Sequence, residues 1–336
     1  MTSTPQHSGL RLIEPAFSSP LTSLIIELDF LRKRKLGGTT NPRVSFQLKE
    51  IFHTLESIGS ARIEGNNTTI AEYIETKIDV PKHLAPTMLE IRNMETAMEF
   101  IDGKINREEL NRVFISELHK LVVKDLPPPP DGEGDFTPGD YRKAVVTIAG
   151  SAYVPPDGLQ VPGYMEEMLR WIAEPVESKY DLLKTAIAHH RFVWIHPFRN
   201  GNGRTVRLFT YAMLVKQGFH VDVGRIINPT AVFCADRNAY YRHLSLADTG
   251  TDEGILQWCQ YVLSGLKTEI EKIDRLSDYG YLSKNILQRA VRISHERKLI
   301  TDVEEKVLLK VVEKQIAQSA DLEEVLTVKH KSDISR

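Results

Sequence analysis

Residues His196 to Arg207 read His-Pro-Phe-Arg-Asn-Gly-Asn-Gly-Arg-Thr-Val-Arg. A histidine takes up a proton near neutral pH. The Gly201-Asn202-Gly203 turn lets backbone N–H groups come close to an anion. Arg204 and Arg207 are three residues apart, so on a helix they share a face. A base, an anion cradle and two guanidinium groups in so short a stretch point to phosphate chemistry on a hydroxyl.

Such a stretch works only if its neighbours hold it. Asp181 to Ile195 and Thr205 to Val215 are apolar on nearly every face, the pattern of helices at the centre of a domain. The second helix starts at the glycine turn, so its N-terminal N–H groups and dipole face that turn. Upstream, the periodicity predicts helices over Leu21–Leu31, Val44–Ser60, Ile70–Val80, Thr87–Ile101 and Arg107–Val123. Pro127 to Pro130, with Gly132, Gly134, Pro138 and Gly139, interrupts them. Lys143–Ile148 and Ser151–Val154, either side of Ala149-Gly150, predict a short β-hairpin, followed by a helix over Gly163–Glu174. Beyond Asp274 the chain becomes more charged. Helices over Asp302–Gln315 and Asp321–Val325 look like the start of a winged-helix unit that stops where a third helix would begin. The expectation is an all-α fold in three regions: N-terminal helices over 1–105, a core over 106–270 and a separate lobe over 275–336.

Composition narrows the function. A formal net charge of −2 argues against binding bulk polyanions, while leaving room for a local basic patch. Two cysteines, Cys234 and Cys259, are too few for a disulfide framework or a thiolate metal site. No apolar run reaches the length needed to cross a bilayer, and Met1 to Gly9 lacks the apolar core of a signal peptide. A cytoplasmic location without membrane contact is expected.

The stretch from His196 to Arg207 resembles the signature of the Fic (Fic/Doc) family at every fixed position except Asn200. The resemblance spans roughly residues 15–270. Pro138-Gly139-Asp140-Tyr141-Arg142, the hairpin Val145–Tyr153, Pro155-Pro156 and Val161-Pro162 look like the family's flap region. Asn238, Tyr240 and Tyr241 resemble an Asn-x-Tyr-Tyr element downstream. Ser60-Ala61-Arg62-Ile63-Glu64-Gly65 resembles the inhibitory motif of members in which the N-terminal region silences the site.

This resemblance implies a Fic-type helical core with a β-hairpin flap and N-terminal helices packed on it. It also implies a self-inhibited protein adenylyltransferase, moving AMP from ATP to a Ser, Thr or Tyr hydroxyl. His196 would be the base. Gly201, Asn202, Gly203, Arg204 and Arg207 would hold the phosphates, and Asn238 and Tyr241 the nucleobase. Ser60 and Glu64 would block the γ-phosphate place on Arg207. The target protein would dock on the flap, 145–153, by strand addition. Position 200 usually carries an acid that holds Mg²⁺ or Mn²⁺; asparagine lacks the charge, so it would be a weak ligand. Two other readings stay open. One is removal of AMP from a modified protein, with Glu64 required. The other is a DNA-binding regulator with a weakened nucleotide site, acting through the C-terminal segment. Self-association also stays open.

Overall fold

The computed structural model describes residues 9–33, 39–79, 81–148, 151, 153–219, 229–323 and 326. Its order is helical: α1 (Pro20–Lys33), α2 (Pro42–Ile63), α3 (Ile70–Ile78), α4 (Pro86–Lys104), α5 (Arg112–Val122), α6 (Val161–Ala173), α7 (Asp181–Ile195), α8 (Asn202–Lys216), α9 (Pro229–Cys234), α10 (Arg237–Ala247), α11 (Asp252–Ser277), α12 (Tyr279–Leu282), α13 (Gln288–Glu296), α14 (Asp302–Lys314) and α15 (Ser319–Glu323). The chain divides into two units, residues 1–34 with 50–270 and residues 35–49 with 271–336; the division falls inside α2 and α11.

The first unit is organised around α7 and α8, in which nearly every residue is buried. Their hydrogen bonds set the direction: Gln217 Nε2 donates to Thr185 Oγ1 at 2.8 Å and His189 Nδ1 meets Thr210 Oγ1 at 2.7 Å. The partner number falls along α8 as it rises along α7, so the pair is antiparallel. Ile115, Leu118 and Val122 of α5, Met94, Met98 and Ile101 of α4, and Met165 and Met168 of α6 complete one continuous core with it. Leu21, Ile25 and Leu28 of α1 and Trp258, Val262 and Leu263 of α11 belong to the same core.

Two expectations are corrected. Helix α2 runs through Ser60 to Ile63 instead of stopping at Ser60. It ends in a Schellman turn: Asn66 N–H donates to Ala61 O at 3.1 Å, Gly65 N–H to Arg62 O at 3.1 Å, and Gly65 has φ 107°. Glu64 is therefore the last residue before the stop. Second, the expected hairpin carries no strand among the described residues of 143–154; its turn, Ala149-Gly150, and Ala152 lie outside them. The physical reason lies in Arg142, whose guanidinium takes the Ala144 and Pro156 carbonyls at 2.9 and 2.6 Å, so these groups do not face each other in a ladder.

In the second unit the described residues from 279 onward form helices, and no winged-helix strand occurs among them. Helix α14 begins in a capping box between Thr301 and Glu304. Tyr279 O–H donates to Val312 O and ties α12 to α14.

Candidate active site

The turn between α7 and α8 is held from several sides. Helix α7 stops because His196 takes a left-handed conformation, φ 51° and ψ 63°. A non-glycine residue there is strained by about 1–3 kcal/mol and needs neighbours that hold it. Arg142, fully buried, does so: Nε donates to His196 O at 2.7 Å, Nη2 to Ile195 O at 3.1 Å, and its backbone N–H to Pro197 O at 2.8 Å. The half-buried imidazole turns Nδ1 toward Val193 O at 3.3 Å. A carbonyl only accepts, so the proton belongs on Nδ1 and Nε2 keeps its lone pair. Burial, reinforced by the Arg142 charge, lowers the His196 pKa to about 4, so the ring is neutral at pH 7.

Phe198 is fully buried and stacks on His119, with ring centroids 3.7 Å apart and planes at 2°. Gly139 N–H donates to His119 Nδ1 at 2.8 Å, so His119 carries its proton on Nε2 and donates it to Asn200 O at 3.0 Å. The Asn202 side chain closes the turn: Oδ1 accepts from Phe198 N–H at 2.8 Å and Nδ2 donates to Phe198 O at 2.9 Å. The amide of Asn202 is thus committed to the loop, and only its backbone faces the cradle of α8.

Asn200 is committed too. Its Oδ1 accepts from Gly201 N–H at 2.8 Å, and its Nδ2 donates to Gly134 O at 3.1 Å and Glu133 Oε2 at 3.4 Å. Its N–H donates to the buried Asp135 carboxylate at 3.0 Å. The open side of position 200 therefore presents an NH₂ group. The described residues contain no group of three or more His, Cys, Asp or Glu side chains able to hold an ion. These residues do not fit a resident divalent cation, which needs hard, anionic oxygen.

Both arginines of α8 are buried, and both face carboxylates. Arg207 donates from Nε to Ser60 Oγ at 2.8 Å and from Nη2 to Ser60 O at 3.0 Å and Glu64 Oε1 at 2.6 Å. Burial favours a neutral Glu64, but the charges of Arg207 and Arg204 outweigh it and hold the carboxyl below its ordinary value. Burial also works against charge on Arg207, and Glu64 more than restores it. The carboxylate lies against the start of α8: a Cβ at Gly203 would come within 2.2 Å of Glu64 Oε1. Arg204 pairs with buried Glu90 at 3.0 Å and donates from Nη2 to Glu133 O at 2.8 Å and Glu133 Oε2 at 3.0 Å. Arg204 Nη1 faces Glu90 Oε1 in that ion pair, and Arg204 Nε is buried without a hydrogen-bond partner. Asn66 donates to the other Glu90 oxygen at 2.7 Å and links the end of α2 to that pair.

Asn238 is exposed at the start of α10. Tyr241 is 40% exposed, with Arg237 over its ring at 5.5 Å. Its neighbour Tyr240 is buried, and its hydroxyl meets His189 Nε2 at 3.0 Å. The structure thus gathers His196, Gly201, Asn202, Gly203, Arg204, Arg207, Ser60 and Glu64 around one turn and leaves Asn238 on the surface. Sequence reasoning missed the roles of Arg142, His119, Glu90 and Glu133. Glu90 had a signal: it falls on the stripe that also carries Met94, Ala97 and Ile101 of α4, where an acid is out of place unless paired. His119 had none.

Residues 109–214 match the Fic/DOC family model. The chain is 30% identical over 203 residues to Protein adenylyltransferase Fic of Drosophila erecta, covering 59% of this chain and 37% of that protein. It is 31% identical over 203 residues to the protein of the same name from Drosophila persimilis, covering 59% and 36%. The chain thus spans well under half the length of these relatives. A Fic family protein from Desulfovibrio desulfuricans has the same fold, with a TM-score of 0.61 at 20% identity over 97% of this chain and 89% of that one. Fic-1 from C. elegans gives 0.58 at 20% identity over 76% and 73%. The residues that match the Fic/DOC family, 109–214, hold the whole turn from His196 to Arg207.

Proposed function

We propose that this chain is a protein adenylyltransferase that holds itself off. ATP enters with its phosphates over the start of α8, between Arg204 and Arg207. His196 Nε2 accepts the proton of a Ser, Thr or Tyr hydroxyl of the target protein. The hydroxyl oxygen bonds to the α-phosphorus as the bond to the bridging oxygen of the β-phosphate breaks. Pyrophosphate leaves, and AMP stays on the target as an ester. The positive cradle of Arg204 and Arg207 neutralises charge on the phosphates. The target lies along residues 145–153, next to the segment that Arg142 pins to the His196 carbonyl.

The observation that carries this reading is the Glu64–Arg207 contact, 2.6 Å long and pressed into the space that only a glycine at 203 leaves open. A carboxylate sits where the terminal phosphate of a nucleotide would. The test is labelling with ATP radioactive in the α-phosphate. Glu64→Gly should label itself or a target, and adding His196→Ala should lower that rate by about 10²–10⁴-fold, the usual worth of a general base. A Glu64→Gly protein that shows no histidine-dependent label would overturn the reading. Removal of AMP is the competing outcome: a pre-adenylylated target would then lose its AMP to the parent and not to Glu64→Gly.

A further inference from the structure

Glu64 masks Arg207, and the contacts of Arg204 are equally closed to phosphate. We infer that Glu133 is a second inhibitory carboxylate, seated on Arg204, and that Asn200 is its partner in that seat instead of a metal ligand. The inference rests on the nucleotide-transfer reading above.

The seat is built. Glu133 sits in a tight turn between two glycines. A Cβ at Gly132 would come within 2.6 Å of the Pro127 ring, and one at Gly134 within 2.1 Å of Leu126 O. Gly134 N–H donates to Pro127 O at 2.8 Å, which locks the turn. Glu133 is thereby placed so that one Arg204 nitrogen, Nη2, takes both its carbonyl and its carboxylate. Glu90 and Glu133 differ in kind. The Glu90 side chain is 4% exposed and is held from behind by Asn66, so it stays in place against Arg204. The Glu133 side chain is 48% exposed and can leave for water. Its departure opens one side of Nη2, which keeps the Glu133 carbonyl, while Nη1 stays on Glu90.

Position 200 then makes sense. The Asn200 amide is oriented by Gly201 N–H on one side and Gly134 O on the other, and its Nδ2 meets Glu133 Oε2 at 3.4 Å. An aspartate would place a second carboxylate at that distance and an oxygen against the Gly134 carbonyl. Two like charges so close repel strongly, so an acid at 200 would evict Glu133. Asparagine at 200 and glutamate at 133 are therefore one device: the residue that removes the anionic oxygen from position 200 also lets Glu133 close over Arg204.

Titration calorimetry with inorganic tripolyphosphate and with ATP, each with and without Mg²⁺, tests this on the full chain. On a Glu64→Gly background, Glu133→Gln should tighten tripolyphosphate binding at least about tenfold, or ~1.4 kcal/mol. Asn200→Asp on the same background should make binding depend on Mg²⁺. Adding Glu133→Gln to it should then bring little further gain in Mg²⁺, because Glu133 has already left. The gate is overturned if Glu133→Gln leaves tripolyphosphate binding unchanged or weakens it, or if the two substitutions act additively in Mg²⁺. If Glu64→Gly binds ATP and Glu133→Gln adds nothing, the gate alone falls. If neither probe binds to Glu64→Gly or to Glu64→Gly/Glu133→Gln, the nucleotide-transfer reading falls with it.

Discussion

Gly203 decides which group can approach the start of α8. A Cβ there would stand 2.2 Å from the Glu64 carboxylate, which is the far end of a flexible side chain and can withdraw. The same Cβ would stand in the path of a phosphate. Gly203→Ala should therefore loosen Glu64 without creating activity, and Glu64→Gly/Gly203→Ala should lose the label that Glu64→Gly takes up from ATP. His196 yields a second expectation at this scale. With a pKa near 4, its Nε2 lone pair is present throughout the neutral range. The labelling rate of Glu64→Gly should be flat in the histidine titration range and fall only as pH drops through about 4. A pH–rate profile with a midpoint near 6.5 would contradict the burial of the ring.

Among the elements, α2 does the most unexpected work. It carries Ser60 and Glu64, and its Schellman stop at Gly65 aims the carboxylate. Gly65 has φ 107°, and an alanine there would be strained by about 1–3 kcal/mol. Gly65→Ala should lower stability by that order in urea unfolding and weaken the hold of Glu64 on Arg207. One turn of helix before Ser60, Glu56 is buried, and burial raises its carboxyl to about 8 against the opposing contact with Thr230 N–H at 2.7 Å. Its folded pKa lies above its ordinary value of 4.5. The stability it contributes is full below that ordinary value and is lost as pH rises through about 8. Glu56→Gln should flatten the fall in stability across that window, and thermal melts at pH 4 and pH 8 would show whether the gain appears only at the higher pH.

In the molecule as a whole, the first unit is held by a core that joins the central pair to helices distant in sequence. Trp258 of α11 is fully buried; its Nε1 donates to Ala186 O at 2.7 Å, and its ring stacks on Phe233 of α9 at 6.2 Å. His189 stands between Phe233, Tyr240 and Trp258 and bonds Thr210 and Tyr240. Trp258→Ala should cost about 3–5 kcal/mol, measured by urea unfolding, because it leaves a cavity behind the central pair.

The central pair was legible in the amino-acid order because helices buried on all sides are apolar on all sides, and the turn from His196 to Arg207 was legible because its residue types are local and contiguous. The same holds for the motif around Glu64. What the order could not reveal is who occupies a charged group. Only the Glu64–Arg207 pair was implied by the resemblance; Arg204 read as a free donor, whereas the fold sets Glu90 and Glu133 against it from two separate segments. Asn200 read as a weakened metal ligand until its amide was found spent on Gly201, Gly134 and Glu133. The described residues of the expected hairpin carry no strand for a related reason, since strand propensity is local and the pull of Arg142 on the carbonyls is not. Local chemistry is written in neighbouring residues and can be read there. Pairing of buried charges depends on which distant segments the core brings together, and only the tertiary structure decides that.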